Sequence, residues 1–280
     1  MTQRTALVTG CSSGFGLGIA CALRDQGWHV LAAVREPQRA PAALAGCEVV
    51  RLDVGDDAQI AAMGAAVERL DCLINNAGYA LSGPLATHAA QQMRAQLEVN
   101  LIGPALLIQA LLPALRQASG RVINVGSIAG DIGLPLNAIY SASKAALHAM
   151  GDALRRELAD HGVQVATMVP GGFRTRFMAN MVWGTRTAEP GTIETRQLDG
   201  YRAFQQRLAA HPGRAPDALV QAVVRLAECG RMPPRVHVGL DARMAHLLLH
   251  VLPARWADAL LTRVFRRQMQ ADNHCVTKPP

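Results

Sequence analysis

The sequence predicts an α/β fold: a doubly wound parallel sheet of about seven strands with helices on both faces. Short apolar runs of strand length alternate with stretches of helical periodicity along the chain. Those runs are nearly continuous in apolar residues, which is typical of parallel strands buried on both faces. With 280 residues, of which 50% are hydrophobic, the chain is long enough for one sizeable domain with its own core.

Seven strands and five helices are predicted in order along the chain. The strands span residues 5–9, 28–34, 47–52, 72–75, 121–125, 163–169 and 235–238. The helices lie near residues 14–26, 57–69, 88–117, 138–160 and 216–229. Because strands alternate with helices, the connections should be right-handed crossovers of one sheet. We therefore expect one catalytic domain over 1–240 and a helical extension over 241–280.

Composition and charge exclude several classes of protein. Six cysteines without a CxxC pair indicate buried thiols in a reducing compartment, against a disulfide framework or a zinc site. No signal-peptide pattern is present, and the apolar stretch 101–115 is too short and interrupted to cross a bilayer, so a cytoplasmic location is expected. Residues 201–280 carry 12 Lys/Arg and 5 Asp/Glu, a surplus that equals the net charge of +7. No basic groove rich in aromatic residues accompanies it, so no nucleic-acid partner is expected.

A glycine-rich loop, TGCSSGFG at residues 9–16, connects the first strand to the first helix. Glycines let the backbone approach a pyrophosphate closely, and the helix N-terminus offers free N–H groups to that anion. The TGxxxGxG spacing resembles the short-chain dehydrogenase/reductase family. The resemblance implies a single-domain Rossmann fold that binds a nicotinamide dinucleotide. The cofactor-binding candidates in this loop are Gly10, Ser12, Ser13, Gly14, Phe15 and Gly16.

Arg35 directly follows the second strand, where dinucleotide folds meet the adenosine ribose. A guanidinium at this point accommodates the 2′-phosphate of NADP, whereas an acidic residue binds the 2′-hydroxyl of NAD. Arg35 therefore favours NADP(H), although Glu36 beside it leaves NAD(H) possible. The alternative is that Arg35 is a solvated residue at a helix start.

Two further segments resemble cofactor contacts of the family. Asp53 and Val54 follow the third strand, where the resemblance implies contact with the adenine. The alternative for Asp53 is a helix N-cap or a turn residue. The run Asn75-Asn76-Ala77-Gly78 resembles the NNAG motif that lines the cofactor cleft. Its cofactor-binding candidates are Asn76, Ala77 and Gly78.

Tyr140 and Lys144 are four residues apart on a predicted helix and therefore share one face. A free tyrosine, with a pKa near ~10, is a poor base at neutral pH, and a neighbouring ammonium lowers that pKa. With Ser127 after the fifth strand, the pair resembles the catalytic set of the family. The resemblance implies that Ser127 positions the substrate oxygen, Tyr140 transfers its proton, and Lys144 lowers the Tyr140 pKa and binds the nicotinamide ribose.

Asn100 resembles the helical asparagine of the family that holds a proton-relay water near the catalytic lysine. The alternative is a polar residue in mid-helix that bonds locally. A non-catalytic dinucleotide sensor or partner-binding module is a second possible function, but it would have no need of the complete set of Asn100, Ser127, Tyr140 and Lys144.

The segment after the sixth strand should form the nicotinamide and substrate end. Its run PGGFRT resembles the PG…T segment of the family, which gives Pro170, Gly171, Phe173 and Thr175 as cofactor-binding candidates. Apolar, adaptable side chains follow, and these predict a substrate pocket: Phe177, Met178, Met181, Val182 and Trp183. The alternative is ordinary core packing. The polar stretch 183–216 predicts a mobile lid, within 177–216, or a long surface excursion.

The loop and the chain length resemble the retinol and hydroxysteroid dehydrogenase branch, which implies a lipophilic alcohol or ketone and a homodimer or homotetramer. The extension places Trp256, Leu260 and Val264, with Leu261 and Phe265, on one face of a basic helix. Such a helix can lie on an anionic membrane; the alternative is packing over the cleft or on a second subunit. His246 and His250 share a face without a third ligand, so no metal is expected.

Overall fold

The structure, a computed structural model, describes residues 3–173, 177, 180–186, 188–210 and 215–270. Two of the predicted site residues, Thr175 and Met178, lie outside the described residues.

Seven parallel strands form the central sheet, which confirms the predicted fold class. They are β1 (Thr5–Thr9), β2 (His29–Val34), β3 (Glu48–Arg51), β4 (Cys72–Asn75), β6 (Arg121–Val125), β7 (Gln164–Pro170) and β9 (Arg235–Val238). Two short strands that the sequence did not predict, β5 (Leu81–Ser82) and β8 (Val182–Trp183), pair with each other. The central order is β3-β2-β1-β4-β6-β7-β9. Strand order reverses between β1 and β4, which is where open α/β sheets bind ligands.

Helices cover both faces of the sheet. They are α1 (Gly14–Asp25), α2 (Asp57–Ala66), α3 (Ala90–Leu97), α4 (Gly103–Ala118), α5 (Ala138–Glu157), α6 (Ile193–Ala210), α7 (Asp217–Glu228), α8 (Leu240–Val251) and α9 (Ala254–Gln270). α1 and α7 build one apolar layer with the sheet. α2 and α4 build the other, into which the end of α5 also packs.

The predicted continuous helix over 88–117 is wrong in its middle. A π-helical turn, Glu98–Ile102, separates α3 from α4. The turn carries Asn100, whose side chain bonds to the backbone of Tyr79 after β4. The extra residue of the π turn thus directs the buried Asn100 amide towards the residues that follow β4. Single π-helical turns are frequent at functional sites.

The stretch 90–118 is long and apolar enough to cross a membrane by length and composition alone. Its apolar side chains Leu107, Leu111 and Leu115 are fully buried in the layer formed with α2 and the sheet. Core packing therefore accounts for the apolar character of this helix.

The region predicted as an irregular lid contains a regular helix, α6. Tyr201 on α6 is buried, and its hydroxyl accepts a hydrogen bond from Asn137 Nδ2 at 2.7 Å. A buried aromatic anchor of this kind fixes a helix that polar composition alone does not reveal.

The structure divides the predicted apolar face of α9 into two rows. Ala257 is buried, and Leu261 and Phe265 beside it are half-buried, so this row packs towards the fold. The second row, formed by Trp256, Leu260 and Val264, is exposed. The five described cysteines (Cys11, Cys21, Cys47, Cys72 and Cys229) are all free thiols.

Candidate active site

The glycine loop forms a tight cradle at the carboxyl end of β1. Gly10 has a φ of +74° and Gly14 a φ of +60°, a left-handed conformation that favours glycine. A Cβ on Gly16 would collide with the Gly10 carbonyl and with the Asn76 amide. α1 begins at Gly14, and the side chain of its N-cap, Ser13, makes no capping bond. The first N–H groups of α1 thus face the loop, as an anion-binding site requires.

Thr9 ties the glycine loop to the NNAG segment across the switch point. Its hydroxyl accepts from the N–H groups of Asn76 at 2.9 Å and Ala77 at 3.0 Å. The Asn76 side chain donates to the Thr9 carbonyl at 2.8 Å. Thr9 lies in the glycine-rich loop 9–16 but is not among the cofactor-binding residues that the sequence predicts. Its role needs the adjacency of β1 and β4, which spacing along the chain does not show.

The adenosine end places Arg35 on the surface directly after β2, where it is exposed. Glu36, which would oppose a phosphate, forms an ion pair with Arg39 at 3.0 Å. Asp53 accepts from the Gly55 N–H at 3.0 Å, and Val54 beside it is buried. The N-cap of α2 is Asp56, so of the alternatives for Asp53 the structure shows the turn residue and not the cap.

The segment after β7 returns to the glycine loop. The Phe173 ring meets Phe15 edge-on, with 5.5 Å between the ring centroids. Pro170 ends β7, and the N–H of Gly171 donates to the Val238 carbonyl at 3.0 Å. The N–H of Gly172 donates to the Asp241 carboxylate, a contact from α8 that sequence reasoning missed.

Tyr140, Lys144 and Ser127 converge at the carboxyl end of β6. All three are buried, with exposed fractions of 8%, 4% and 9%. Tyr140 hydrogen-bonds to Ser127, whose hydroxyl accepts from the Ala129 N–H at 3.1 Å. Lys144 Nζ donates to the Val125 carbonyl at 2.8 Å. The predicted catalytic set is thus brought together inside the protein.

Burial dominates the electrostatics of this pair. It raises the pKa of Tyr140 to about 12, against the lowering effect of the hydrogen bond with Ser127. It also lowers the pKa of Lys144 to about 8. Desolvation disfavours the charged form of each group, which moves the two pKa values in opposite directions. At neutral pH Tyr140 is therefore a phenol, and Lys144 is still largely an ammonium.

Asn100 is fully buried. Its side chain accepts from the Tyr79 N–H at 3.1 Å and donates to the Tyr79 carbonyl at 3.0 Å and to Ser143 Oγ at 3.0 Å. A Cβ on Gly78 would lie 3.0 Å from Asn100 Oδ1 and 3.5 Å from Lys144 Nζ. Gly78 therefore leaves space between the asparagine and the lysine.

A small apolar cluster packs around Tyr140. The Phe177 ring lies 5.6 Å from the Tyr140 ring, centroid to centroid. Met181 and Leu134 pack on the same cluster. Of the five side chains predicted for the substrate pocket, Phe177 and Met181 therefore lie beside Tyr140, and Val182 is exposed.

Trp183 belongs to a second layer that sequence reasoning missed. Its ring meets Tyr201 edge-on at 6.0 Å, and the Arg202 guanidinium lies 5.3 Å from its ring centroid. Asn137 Oδ1 accepts from Ser82 Oγ at 2.7 Å, and Asn137 Nδ2 meets the Tyr201 hydroxyl at 2.7 Å. These hydrogen bonds tie Tyr201 on α6 to Asn137 and, through it, to Ser82 on β5.

These features fit a nicotinamide dinucleotide. The cradle of Gly10 and Gly16 leaves no space for Cβ atoms, and the start of α1 supplies N–H groups for a pyrophosphate. A buried phenol and a buried ammonium lie at the carboxyl end of β6. The site can therefore pass a proton to or from an oxygen that reaches Tyr140 and Ser127.

Comparison with known proteins supports this interpretation. Residues 4–184 match the family model for short chain dehydrogenase. The chain is 34% identical to the "Uncharacterized oxidoreductase YbbO" of Escherichia coli (strain K12), over 92% of this chain and 94% of the relative. It is 33% identical to "Retinol dehydrogenase 5" of Mus musculus, over 94% and 89%. It is 36% identical to "17-beta-hydroxysteroid dehydrogenase type 1" of Mus musculus, over 75% and 66%.

The fold is similar to a solved short chain dehydrogenase from Burkholderia cenocepacia J2315 in complex with NADP. The TM-score is 0.75 at 30% identity, and the similarity covers 93% of this chain and 97% of that chain. The predicted resemblance, including its retinol and hydroxysteroid branch, is confirmed by these matches.

Proposed function

This chain belongs to the short-chain dehydrogenase family, and we propose that it transfers a hydride between NADP(H) and a lipophilic alcohol or ketone. Its place in the family makes it an NAD(P)-dependent oxidoreductase; the cofactor preference, the substrate class and the residue roles are our proposal. One observation carries it: Ser127, Tyr140 and Lys144 converge, buried, at the carboxyl end of β6, in the same parallel sheet whose strand β1 leads into the glycine loop.

The nicotinamide supplies or accepts the hydride when the cofactor is bound, and this chain handles the proton. The Ser127 hydroxyl holds the substrate oxygen, and Tyr140 gives that oxygen a proton during reduction or takes it during oxidation. Because burial raises the pKa of Tyr140 to about 12, the side chain is held at neutral pH as the phenol, the protonation state that reduction requires. In this proposal the Lys144 ammonium stabilises the phenolate that remains after Tyr140 has given its proton. It also binds the nicotinamide ribose.

Asn100 supports proton return to Tyr140. Its buried amide and Lys144 Nζ both face the space over Gly78, which suits a water that passes protons outwards. Asp53, Val54, Asn76, Ala77, Phe15 and Phe173 surround the remainder of the dinucleotide, together with the loop 10–16.

Arg35 is proposed to select NADP(H) by bonding to its 2′-phosphate. Its neighbour Glu36 is paired with Arg39, which reduces the negative charge beside that phosphate. Arg35→Asp should shift the ratio of kcat/KM for NADPH to that for NADH by at least about tenfold towards NADH. An unchanged ratio would assign recognition of the phosphate to other groups, with Ser12 and Ser13 as the first candidates.

A lipophilic substrate is supported by the apolar cluster beside Tyr140, which includes Phe177 and Met181. Aromatic and thioether side chains suit a shape-tolerant apolar pocket. The names of two relatives, a retinol dehydrogenase and a hydroxysteroid dehydrogenase, point to the same class.

The test uses NADPH or NADP⁺ with retinal and retinol, estrone and estradiol, and decanal and decanol. We expect turnover of at least one pair, and Tyr140→Phe should lower kcat by roughly a thousandfold. NADPH binding, followed by its fluorescence, should be retained. If wild type and Tyr140→Phe have equal rates, the role of Tyr140 is wrong. If the protein binds NADPH and turns over no probe, the non-catalytic sensor is the better interpretation.

We also propose that α8 and α9 contact an anionic membrane surface, with the enzyme otherwise in the cytoplasm. Two exposed apolar rows support this: Leu240, Met244, Leu247 and Val251 on α8, and Trp256, Leu260 and Val264 on α9. Exposed arginines flank the α9 row at 255, 263, 266 and 267. Apolar side chains bordered by cations match the apolar interior and anionic headgroups of such a surface.

Vesicle flotation tests this contact. Wild type should float with vesicles of phosphatidylglycerol and phosphatidylcholine, and Trp256→Ser with Leu260→Ser should stay at the bottom. Light scattering on both proteins reports the homodimer or homotetramer expected of the family. If the double variant floats like wild type, or if it changes only the subunit number, the rows are not a membrane surface.

A further inference from the structure

A buried polar network of His148, Asp131 and His237 contacts the backbone of Ser127. The proposed chemistry does not use it. His148 is on α5, four residues beyond Lys144 and eight beyond Tyr140, so the three side chains share one helix face. Its ring is 1% exposed and reaches the loop that carries Ser127.

The His148 ring bonds at both nitrogens. Nε2 accepts the backbone N–H of Ser127 at 3.4 Å, and Nδ1 meets Asp131 Oδ1 at 3.1 Å. Because a neutral imidazole has one donor and one acceptor nitrogen, these partners define a single tautomer with the proton on Nδ1. The two contacts therefore fix the orientation of the ring beside the Ser127 N–H.

Two glycines make room for this ring on either side of Ser127. A Cβ on Gly126 would collide with His148 Nε2, and a Cβ on Gly130 would lie 2.7 Å from His148 Cε1. Neither glycine has a positive φ, so the reason for glycine here is space and not backbone conformation. The Ser127 loop is shaped around the imidazole.

Asp131 is in turn held from the far edge of the sheet. Its Oδ2 meets His237 Nε2 on β9 at 2.8 Å, and Arg235 on β9 contacts its Oδ1 at 3.4 Å. Arg235 also pairs with Asp152 on α5 at 2.6 Å. The Asp131 side chain is 7% exposed, so its charge is screened little by water and its position is strongly determined.

A metal site is the other use this cluster suggests, because Asp131, His237 and His246 bring ligand atoms within 4.8 Å of one another. The ring geometry argues against it. The His237 and His246 rings stack at 4.0 Å with 29° between their planes. Nitrogen lone pairs lie in the ring plane, so in nearly parallel stacked rings they point side by side and do not converge on one ion.

We propose that His148, held by Asp131, is the positioning residue that fixes the Ser127 hydroxyl for the substrate oxygen. His148 touches neither substrate nor cofactor; it acts through the Ser127 backbone. The role rests on the proposed function as far as catalysis is concerned, whereas the ordering of the loop does not depend on it.

The first test measures the loop without turnover. Amide hydrogen exchange of a peptide that covers residues 126–131 is compared in wild type, His148→Ala and the exposed control His161→Ala. His148→Ala should exchange faster in this peptide, and His161→Ala should match wild type. Equal protection in His148→Ala and wild type would overturn the positioning role, whether or not any substrate has been found.

The second test measures the coupling to Ser127. With the best carbonyl probe, His148→Ala should lower kcat by about tenfold to a hundredfold, with the Kd for NADPH unchanged. His148→Gln, which retains an acceptor and a donor, should recover part of the loss. In a Ser127→Ala background, His148→Ala should lower kcat no further, because the effects of coupled residues are not additive. Additive losses would mean that His148 only stabilises the fold and would overturn the proposal.

Discussion

The catalytic end and the C-terminal helices of this protein are built on opposite principles. At the catalytic end, polar side chains are buried and bonded: Asn100 makes three hydrogen bonds at zero exposure. On α8 and α9, apolar side chains face outwards, with Leu240 67% and Trp256 62% exposed. The first region holds atoms in fixed positions, and the second offers a surface.

The difference follows from what each arrangement costs. A buried polar group is unfavourable unless its bonds are made, so the side chains around Lys144 admit one arrangement. An exposed apolar side chain has no such constraint, and its replacement changes stability little. The catalytic end is therefore suited to holding reacting groups in place, and the exposed rows of α8 and α9 are suited to contact with a substrate or a surface.

Lys144→Met should separate function from stability at the catalytic end. We expect kcat to fall by roughly a thousandfold, because Tyr140 loses its neighbouring ammonium. The free energy of unfolding at pH 7 should rise by about 1–2 kcal/mol, because burial lowers the pKa of the Lys144 ammonium to about 8 and thus disfavours it in the fold. Part of that gain is offset by the lost bond to the Val125 carbonyl.

The pH dependence of the Lys144 effect has a defined sign. Between pH 8 and 10.5 the unfolded chain holds a proton on this lysine that the folded chain has released. The free energy of unfolding of the wild type should therefore rise with pH in that window. The amount by which it falls below that of Lys144→Met should shrink. Urea unfolding at pH 7 and pH 9 checks both statements. A Met variant that is less stable than wild type at pH 7 would contradict them.

Asn100→Ala should cost about 2–4 kcal/mol of unfolding free energy, because it leaves the N–H and carbonyl of Tyr79 without their partner. Gln109→Ala is the matched control, since Gln109 is exposed on α4. Chemical denaturation of both variants is the measurement. Equal stability of the two would show that the π turn is not held by its asparagine.

Asp131 should make the protein sensitive to acid. Burial alone would raise the pKa of this carboxyl, but its hydrogen bonds and charge interactions with His148 and His237 bring it to about 2. A depressed carboxyl pKa stabilises the fold above the unfolded value of 3.8, and that stability is lost as pH falls towards 2. We expect a loss of about 2 kcal/mol, absent in Asp131→Asn, when unfolding is followed from pH 5 downwards.

Replacements on the exposed rows should have the smallest effect. Leu247→Ser and Trp256→Ser should change the free energy of unfolding by less than about 0.5 kcal/mol. Ala257→Asp, on the packed row of α9, should destabilise the protein clearly, because that position is 2% exposed. Thermal unfolding of the three variants measures the contrast. If Trp256→Ser were as damaging as Ala257→Asp, α9 would not present two different rows.

Much of this molecule could be predicted from local pattern. The seven central strands lie where the apolar runs placed them, and Tyr140 and Lys144 share a helix face because their spacing requires it. Prediction was poorer where the local composition does not reveal the structure that forms. The sequence around α6 predicts a lid or a long surface excursion without regular structure, since the polar composition of this segment hides the buried anchor Tyr201. The π turn at Asn100 was missed because a single extra residue leaves helical periodicity almost unchanged.

The sequence by itself determined the strands, the glycine loop and the proton-transfer pair, because each depends on residues that are near one another in the chain. Only the tertiary structure decided which loops meet. Thr9 reaches Asn76 because β1 and β4 are neighbours, and Asp131 reaches His237 because β9 closes the sheet beyond β7. Periodicity records which side of an element is buried, but the partner it is buried against depends on strand order, which no local pattern contains.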